Sequence, residues 1–357
     1  MYYNTYMYLN FIKIFLPTIV SFILGILITP IATHFFYKHK MWKKKLRTED
    51  TSSLEFKKIH EEKAKEEISV PCVGGIIIWS SVLLTTFLFF ILSLFFQNDF
   101  FTKLNFFSRS QTLIPISIFI LGSLLGLIDD ILEIKGKSDI TRKSNWYTKA
   151  KIFMIIVCGF IAGSWFFYKL GMHSIHIPFD GSWQLGVLFI PFVVIVMLGT
   201  FSGGVIDGID GLSGGVLASI FASYSFIAFA NNQMDLAAFC GVITGATLAF
   251  LWFNIPPARF YMGETGMMPL TIVLATIAFL TNSVLLLPII AFPLVATSLS
   301  SSIQILSKKY FNKRVFRIAP LHHHFEAIGW SRYKITMRYW VLSVMFAVTG
   351  VILFVLN

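Results

Sequence analysis

FSGGVIDGIDGLSGG, residues 201–215, separates two strongly apolar runs at 185–198 and 216–230. Its two carboxylates, Asp207 and Asp210, therefore stand between two candidate membrane spans, where a charge is costly and usually serves a function. Their i, i+3 spacing places both acids on one face if the turn is helical. The surrounding glycines expose backbone N–H groups, which suit a phosphate. A tight turn with solvated aspartates is the alternative, and the rest of the chain decides between the two.

The composition is that of a membrane protein. The 357 residues are 56% hydrophobic and 13% charged, with a mean hydropathy of +0.74, which excludes an ordinary soluble domain. The apolar runs are continuous and not alternating, which indicates helices and excludes a barrel. We expect an all-α, polytopic integral membrane protein with one domain over residues 1–357. A span needs about 20 apolar residues, and about ten candidates are found at 11–36, 74–96, 111–129, 150–169, 185–206, 212–230, 235–254, 266–282, 284–306 and 336–356.

Lysine and arginine set the expected orientation of these spans. Of the 29 Lys and Arg residues, all but four fall within or beside the odd-numbered connections; the exceptions are Lys13, Lys103, Arg109 and Lys169. We therefore expect the odd-numbered connections in the cytoplasm and both termini outside. The net charge of +11 reflects this bias and attraction to anionic lipid head groups. No nucleic-acid-binding motif accompanies it, so we expect no nucleic-acid partner.

An acid pair ends the third predicted span, where GLIDD carries Asp129 and Asp130. Acids at a helix C-terminus oppose the helix dipole, whereas Mg²⁺ binding or proton abstraction would favour them there. The basic residues that follow, up to Lys151, suit a polyphosphate beside the acids. The positive-inside bias explains the same basic residues, and solvated end charges are the alternative for the acids.

Two further connections carry polar groups at the same predicted face. FLWFNIPPARFYMGETG, residues 250–266, contains Asn254 and Glu264. Its Phe260 and Tyr261 offer a flat surface for a nucleobase, and anchoring at the membrane interface explains them about as well.

The last connection contains APLHHHFEAIGW, residues 319–330. Three adjacent side chains cannot all point one way on a helix, so His322–His324 are not expected to form a zinc triad. They are plausible donors to a phosphate or sugar-phosphate in a basic loop. A purely structural cluster is the alternative.

Carboxylates among cations at one membrane face indicate Mg²⁺-assisted phosphoryl chemistry on a lipid-borne substrate. The sequence has no Walker motif. A transporter or an inactive scaffold is the alternative from another functional class. A transporter would place its acids near the bilayer midplane, whereas these acids lie at predicted helix ends.

In this order on ten predicted spans, GLIDD, DGIDGLSGG, FLWFNIPPARFYMGETG and PLHHHFEAIGW resemble the motifs of the polyprenyl-phosphate N-acetylhexosamine-1-phosphate transferases. The triple histidine resembles the phospho-N-acetylmuramoyl-pentapeptide-transferase branch. The resemblance covers nearly the whole chain. It implies that UDP-MurNAc-pentapeptide gives its phospho-sugar to undecaprenyl phosphate, with Mg²⁺, which forms lipid I and releases UMP in peptidoglycan synthesis. The implied location is the cytoplasmic face of a bacterial inner membrane, and the oligomeric state, including a homodimer, is left open.

The resemblance also implies roles for single residues. The implied catalytic residues are Asp129, Asp130, Asp207 and His324. The implied substrate-binding residues are Asp210, Asn254, Tyr261, His322 and His323. The implied Mg²⁺ ligands are Glu264 and Asp207.

This sequence departs from the family pattern at several positions. Phe201 and Gly204 stand where the family has asparagines, and Glu264 stands where it has aspartate. Glu133 follows the acid pair in place of a lysine, and the segment from Glu67 to Gly75 lacks the usual lysine. These departures leave open a related transferase that loads another UDP-HexNAc onto a polyprenyl phosphate.

Overall fold

The computed structural model describes residues 2–42, 70–96, 98–136 and 146–357. Glu67, one of the departures from the family pattern, lies outside these residues. Within them the chain is helical apart from one antiparallel hairpin of β1 (Ser174–Ile177) and β2 (Gly181–Gln184). The expected all-α, polytopic class is confirmed.

Nine helices in the described part of the chain are long and apolar enough to cross a membrane. In chain order, the helices of the described residues are α1 (Tyr2–Lys38), α2 (Gly75–Phe95), α3 (Asp99–Leu104), α4 (Leu113–Ile134), α5 (Trp146–Lys169), α6 (Phe189–Ser202), α7 (Leu212–Ala230), α8 (Met234–Asn254), α9 (Gly263–Leu280), α10 (Leu287–Ile290), α11 (Phe292–Phe311), α12 (Leu321–Ala327) and α13 (Arg332–Val355). Short 3-10 turns at Gly186–Leu188 and Gly203–Ile206 extend α6 at both ends.

The predicted ninth span, 284–306, consists of two helical segments in place of one straight helix. The segments Val284–Ile290 and Phe292–Phe311 meet at 84° and together form the tenth candidate span. Proline occupies the first turn of both α10 and α11. Proline has no N–H and is favoured in the first turn of a helix, so both prolines are compatible with a helix that ends and restarts at Ala291. Hydropathy identified the apolar length of this run but not its change of direction.

Helix α9 lies at the centre of the protein, and 89% of its apolar window is buried. It packs on α4, α6 and α2. Two glycines make the approach of the neighbouring helices close: a Cβ at Gly126 would lie 2.2 Å from the Glu264 carbonyl oxygen, and a Cβ at Gly75 would lie 2.1 Å from the Gly266 nitrogen. Small residues that let backbones approach are the usual means of packing membrane helices. Here they bring the start of α9 against the end of α4.

The two ends of the helix bundle differ in character. At one end Lys13 of α1 pairs with Asp235 at the start of α8, and the Gln111 side chain accepts from the Asp235 backbone nitrogen at 3.1 Å. The same end carries the β1–β2 hairpin, whose Phe179 backbone N–H donates to the Asn357 side chain at 2.5 Å. All of the chemically distinctive motifs lie at the opposite end. The placement of both termini outside stays a prediction from the charge bias.

Candidate active site

A lysine joins two of the predicted acidic positions. The Lys151 Nζ lies 2.6 Å from Asp129 Oδ2 and 2.9 Å from Glu264 Oε1. Asp129 lies in the last two turns of α4, Lys151 in the first two turns of α5 and Glu264 in the first turn of α9, so three helices each contribute one charge. The Asp129 side chain is 8% exposed and that of Glu264 is 36% exposed. The cluster therefore has a buried side and a side open to a ligand.

Asp130, the second acid of the pair, faces the start of α9. Its carboxylate accepts from the Thr265 backbone N–H at 2.8 Å, the Thr265 hydroxyl at 2.5 Å and the Glu264 backbone N–H at 3.1 Å. The first N–H groups of a helix have no partner within the helix, and a carboxylate there is also favoured by the helix dipole. Asp130 thus caps α9 and fixes the backbone that carries Glu264.

The two acids of the glycine-rich stretch contact the connection that leads into α9. Asp207 accepts from the Gly263 backbone N–H at 3.2 Å and from the Ser213 hydroxyl at 2.7 Å. Asp210 accepts from the Ala258 backbone N–H at 3.3 Å. Asp207 therefore reaches the residue next to Glu264, while Asp210 lies further back along the same connection.

Asn254 is buried, with both ends of its side chain in hydrogen bonds. Its Oδ1 accepts from the Gly211 N–H at 2.9 Å, and its Nδ2 donates to the Phe260 carbonyl at 2.8 Å. This amide joins the glycine-rich stretch to the connection before α9. In the structure it supports the shape of the site.

The two aromatic residues predicted to face a nucleobase differ. The prediction for Phe260 is wrong, because its ring is fully buried and packs against Phe250 with centroids 5.6 Å apart. Tyr261 is partly exposed, while its backbone binds the segment before α2 through Pro71 O and Gly74 N, both at 2.8 Å. Tyr261 thus remains the aromatic candidate at this position.

The three adjacent histidines do not all point one way, as expected: two rings share a direction and the third turns away. His322 is fully buried, and its ring lies 4.3 Å from that of His323. Both rings face Gly208, where a Cβ would lie 2.5 Å from His322 Nε2 and 3.1 Å from His323 Nε2. His324 turns away and its Nδ1 accepts from the Arg317 backbone N–H at 3.3 Å. The histidine loop thus rests on the glycine-rich stretch through two of its three rings.

Lys151 is the residue that sequence reasoning did not single out. It was one of several basic residues that the positive-inside bias explained equally well. The available signal was its position: it falls just inside the predicted span 150–169, where a lysine needs a partner. The Phe201 ring, one of the departures from the family pattern, lies 5.8 Å from its Nζ.

The donor set suits a hard divalent cation that is shared with a phosphate ligand. Within the described residues, no group of three or more His, Cys, Asp or Glu side chains is arranged to hold a metal ion. Mg²⁺ usually takes only one or two carboxylates and completes its shell with water and substrate phosphates. Asp129 and Glu264 already converge on one cationic atom, so the residues present fit that mode.

Comparison with known proteins adds an independent finding. The model of glycosyl transferase family 4 matches residues 112–282, which include both acid motifs and Glu264. A phospho-N-acetylmuramoyl-pentapeptide-transferase from Geobacillus sp. (strain WCH70) is 32% identical over 339 residues, which cover 94% of this chain and 96% of the relative. Proteins of the same name from Clostridium perfringens (strain 13 / Type A) and Borreliella afzelii (strain PKo) are 32% and 31% identical. They align over 94% and 93% of this chain, and over 96% and 92% of their own lengths.

Proposed function

This chain belongs to the family of the phospho-N-acetylmuramoyl-pentapeptide-transferases, and we propose that it uses undecaprenyl phosphate as acceptor and Mg²⁺ as cofactor. It is a multi-pass membrane enzyme that transfers phospho-MurNAc-pentapeptide from a nucleotide to a lipid carrier. In the proposed reaction, a phosphate oxygen of undecaprenyl phosphate attacks the sugar-linked phosphorus of UDP-MurNAc-pentapeptide. The bond from that phosphorus to UMP breaks, and lipid I and UMP form. The proposed location is the cytoplasmic face of a bacterial inner membrane.

The observation that carries this proposal is the Lys151 ammonium between Asp129 and Glu264. The ammonium lies 2.6 and 2.9 Å from the two carboxylates. A group that can bind an anion and groups that can bind a cation are therefore in direct contact. Phosphoryl transfer depends mainly on such positioning and charge stabilisation. Lys151 can bind a diphosphate oxygen as a compact positive charge, and Glu264 beside it can contribute to holding the counter-cation.

The acids divide into two proposed groups. Asp129, which faces the lysine, is the proposed base toward the lipid phosphate. Asp130 is proposed to act at one remove, because its carboxylate holds the start of α9. In this proposal activity needs both Asp129 and Asp130, but only Asp129 contacts the reacting groups.

The proposed Mg²⁺ ligands are Glu264 and Asp207. Asp207 accepts from Gly263, the residue before Glu264, so the two acids flank one turn of backbone. When bound, Mg²⁺ would offset the charge of the diphosphate and of the leaving UMP. Glu264 carries one more methylene than the family's aspartate, so its carboxylate extends further from the start of α9.

The remaining residues are proposed to bind the nucleotide sugar. Asp210 and Tyr261 would contact the nucleoside, with Asn254 setting the shape of that wall. His324 would donate to the sugar-phosphate and is also the proposed catalytic member of the three. His323 would bind the sugar beside it, with buried His322 as support beneath them. The basic loop before them adds positive charge for an anionic substrate.

The test is purified protein with Mg²⁺, undecaprenyl phosphate and a panel of UDP-sugars, followed by UMP release. We expect UDP-MurNAc-pentapeptide to be turned over much faster than UDP-GlcNAc or UDP-GalNAc. Preference for one of the smaller UDP-sugars would favour the related transferase, which the replacements at Phe201 and Gly204 leave open. No UMP from any sugar with folded protein would contradict transferase activity.

A further inference from the structure

Glu326, four residues beyond the first histidine, lies between two elements of the site. Its Oε2 is 2.5 Å from His323 Nδ1, and its Oε1 is 3.1 Å from Arg332 Nε. The Glu326 side chain is only 7% exposed, and that of His323 is 13% exposed. An acid this buried is retained only where donors satisfy it, so Glu326 belongs to a fixed network and not to a solvated surface.

The partner of Nδ1 determines what the other ring nitrogen can do. A carboxylate accepts hydrogen bonds, so the Nδ1 of His323 carries the hydrogen toward Glu326. Its Nε2 then faces Gly208, where a Cβ would lie 3.1 Å away. Gly208 directly follows Asp207. The Glu326 contact thus aims Nε2 of His323 at the stretch that carries the site acids.

The second partner of Glu326 is Arg332, on the helix that also contacts the glycine-rich stretch. Arg332 begins α13, and further along α13 the Thr336 hydroxyl donates to the Asp210 carbonyl at 3.1 Å. The Trp340 indole N–H donates to the Gly211 carbonyl at 2.9 Å. Glu326 therefore connects the histidine helix α12 to the helix that holds the far end of the glycine-rich stretch.

We propose that Glu326 is a positioning residue for His323. It holds the imidazole with Nδ1–H toward its own carboxylate, which leaves Nε2 to accept a hydrogen bond from a hydroxyl or N–H group of the substrate's sugar. This rests on the proposed function, since it assigns a target to a nitrogen of the same site. Carboxylates that orient a metal-bound histidine usually change activity by about 10- to 100-fold when removed, and we expect an effect at the lower end of that range for a histidine that binds substrate.

A double-mutant cycle tests the proposal in the full-length protein. Glu326→Gln keeps the size of the side chain and removes its charge, and we expect the KM for the nucleotide substrate to rise about tenfold, with a smaller change in kcat. Glu326→Asp should recover part of the loss. Because Glu326 acts through His323, the pair Glu326→Gln/His323→Ala should be no worse than His323→Ala alone. Asp180→Asn, in the hairpin at the opposite end of the bundle, is the control and should match wild type.

A readout that needs no turnover is the ¹⁵N spectrum of histidine-labelled protein, with the His323 signals identified by their loss in His323→Asn. We expect an Nδ1-protonated ring in wild type and a changed tautomer balance in Glu326→Gln. Multiplicative losses in the cycle, or a His323 tautomer that Glu326→Gln leaves unchanged, would overturn the positioning role. An inactive wild-type protein with the expected spectrum would contradict the proposed function and not the Glu326–His323 arrangement.

Discussion

Replacing Lys151 with methionine removes an ammonium that two carboxylates share. The Asp129 and Glu264 oxygens lie within about 5.5 Å of each other, because both contact the same nitrogen, at 2.6 and 2.9 Å. Two unit charges at that separation repel by about 3 kcal/mol at an effective dielectric constant of about 20. Glu264 is 36% exposed, so screening by solvent reduces this repulsion to about 1–2 kcal/mol. Loss of the partner of buried Asp129 adds about 3 kcal/mol.

Thermal unfolding in detergent, followed by tryptophan fluorescence, measures this effect. We expect Lys151→Met to lower the Tm clearly, and the pair Lys151→Met/Glu264→Gln to recover about 1–2 kcal/mol of the loss, because one of the two repelling charges is gone. Mg²⁺ should raise the Tm of Lys151→Met more than that of wild type, since a divalent cation can take the place of the ammonium. The exposed Lys149, two residues earlier on α5, provides the matched control Lys149→Met.

Two outcomes would refute this reasoning. Lys151→Met with the Tm of wild type would show that the ammonium contributes nothing to holding the acids together. Loss of the same size in the single and double variants would show that Asp129 and Glu264 do not repel each other, and the shared-cation site would then have to be abandoned.

The other predictions concern sidedness, the histidines and the proposed metal ligand. Cysteines introduced at positions 129, 210, 264 and 323 should be labelled only from the cytoplasmic side of oriented vesicles, and labelling of any one from outside would contradict a single site. His324→Ala should lower turnover by about 100-fold or more with little change in Tm, because the hydrogen bond that its Nδ1 accepts from the Arg317 backbone N–H is long at 3.3 Å. Near-full activity of this variant would make the histidines structural. Glu264→Gln should abolish activity, since a neutral amide cannot offset a metal charge, whereas Glu264→Asp should keep much of it. The reverse order would show that Glu264 packs or hydrogen-bonds and does not bind metal.

The sequence predicted the class of fold because hydrophobic length is a local property. Nine of the predicted spans correspond to helices that the described part of the chain contains. The break at Ala291 was missed because the run around it is apolar throughout, so hydropathy cannot distinguish a straight helix from one bent by 84°. The β1–β2 hairpin was also missed, since it is a short feature between two long apolar runs.

The sequence predicted that the motifs lie together at one face of the membrane. It did not predict which contact each acidic side chain makes. Successive spans cross the membrane in opposite directions, so all odd-numbered connections lie on the same side. This places Asp129, Asp207, Glu264 and the histidines at one face. Which carboxylate faces a cation and which caps a helix depends on the packing of α4 against α9, which is a tertiary property. Lys151 was hidden for a related reason: its partners are 22 and 113 residues away along the chain.

The measurement that tests the central claim most directly is formation of a lipid-linked product by the purified protein. Wild-type protein with UDP-MurNAc-pentapeptide, undecaprenyl phosphate and Mg²⁺ should yield lipid I by mass spectrometry and an equal amount of UMP. Omission of the lipid phosphate or of Mg²⁺ should stop both products. UMP formed without a lipid product, or no product from protein that melts normally, would contradict phospho-sugar transfer at the site formed by Asp129, Lys151 and Glu264.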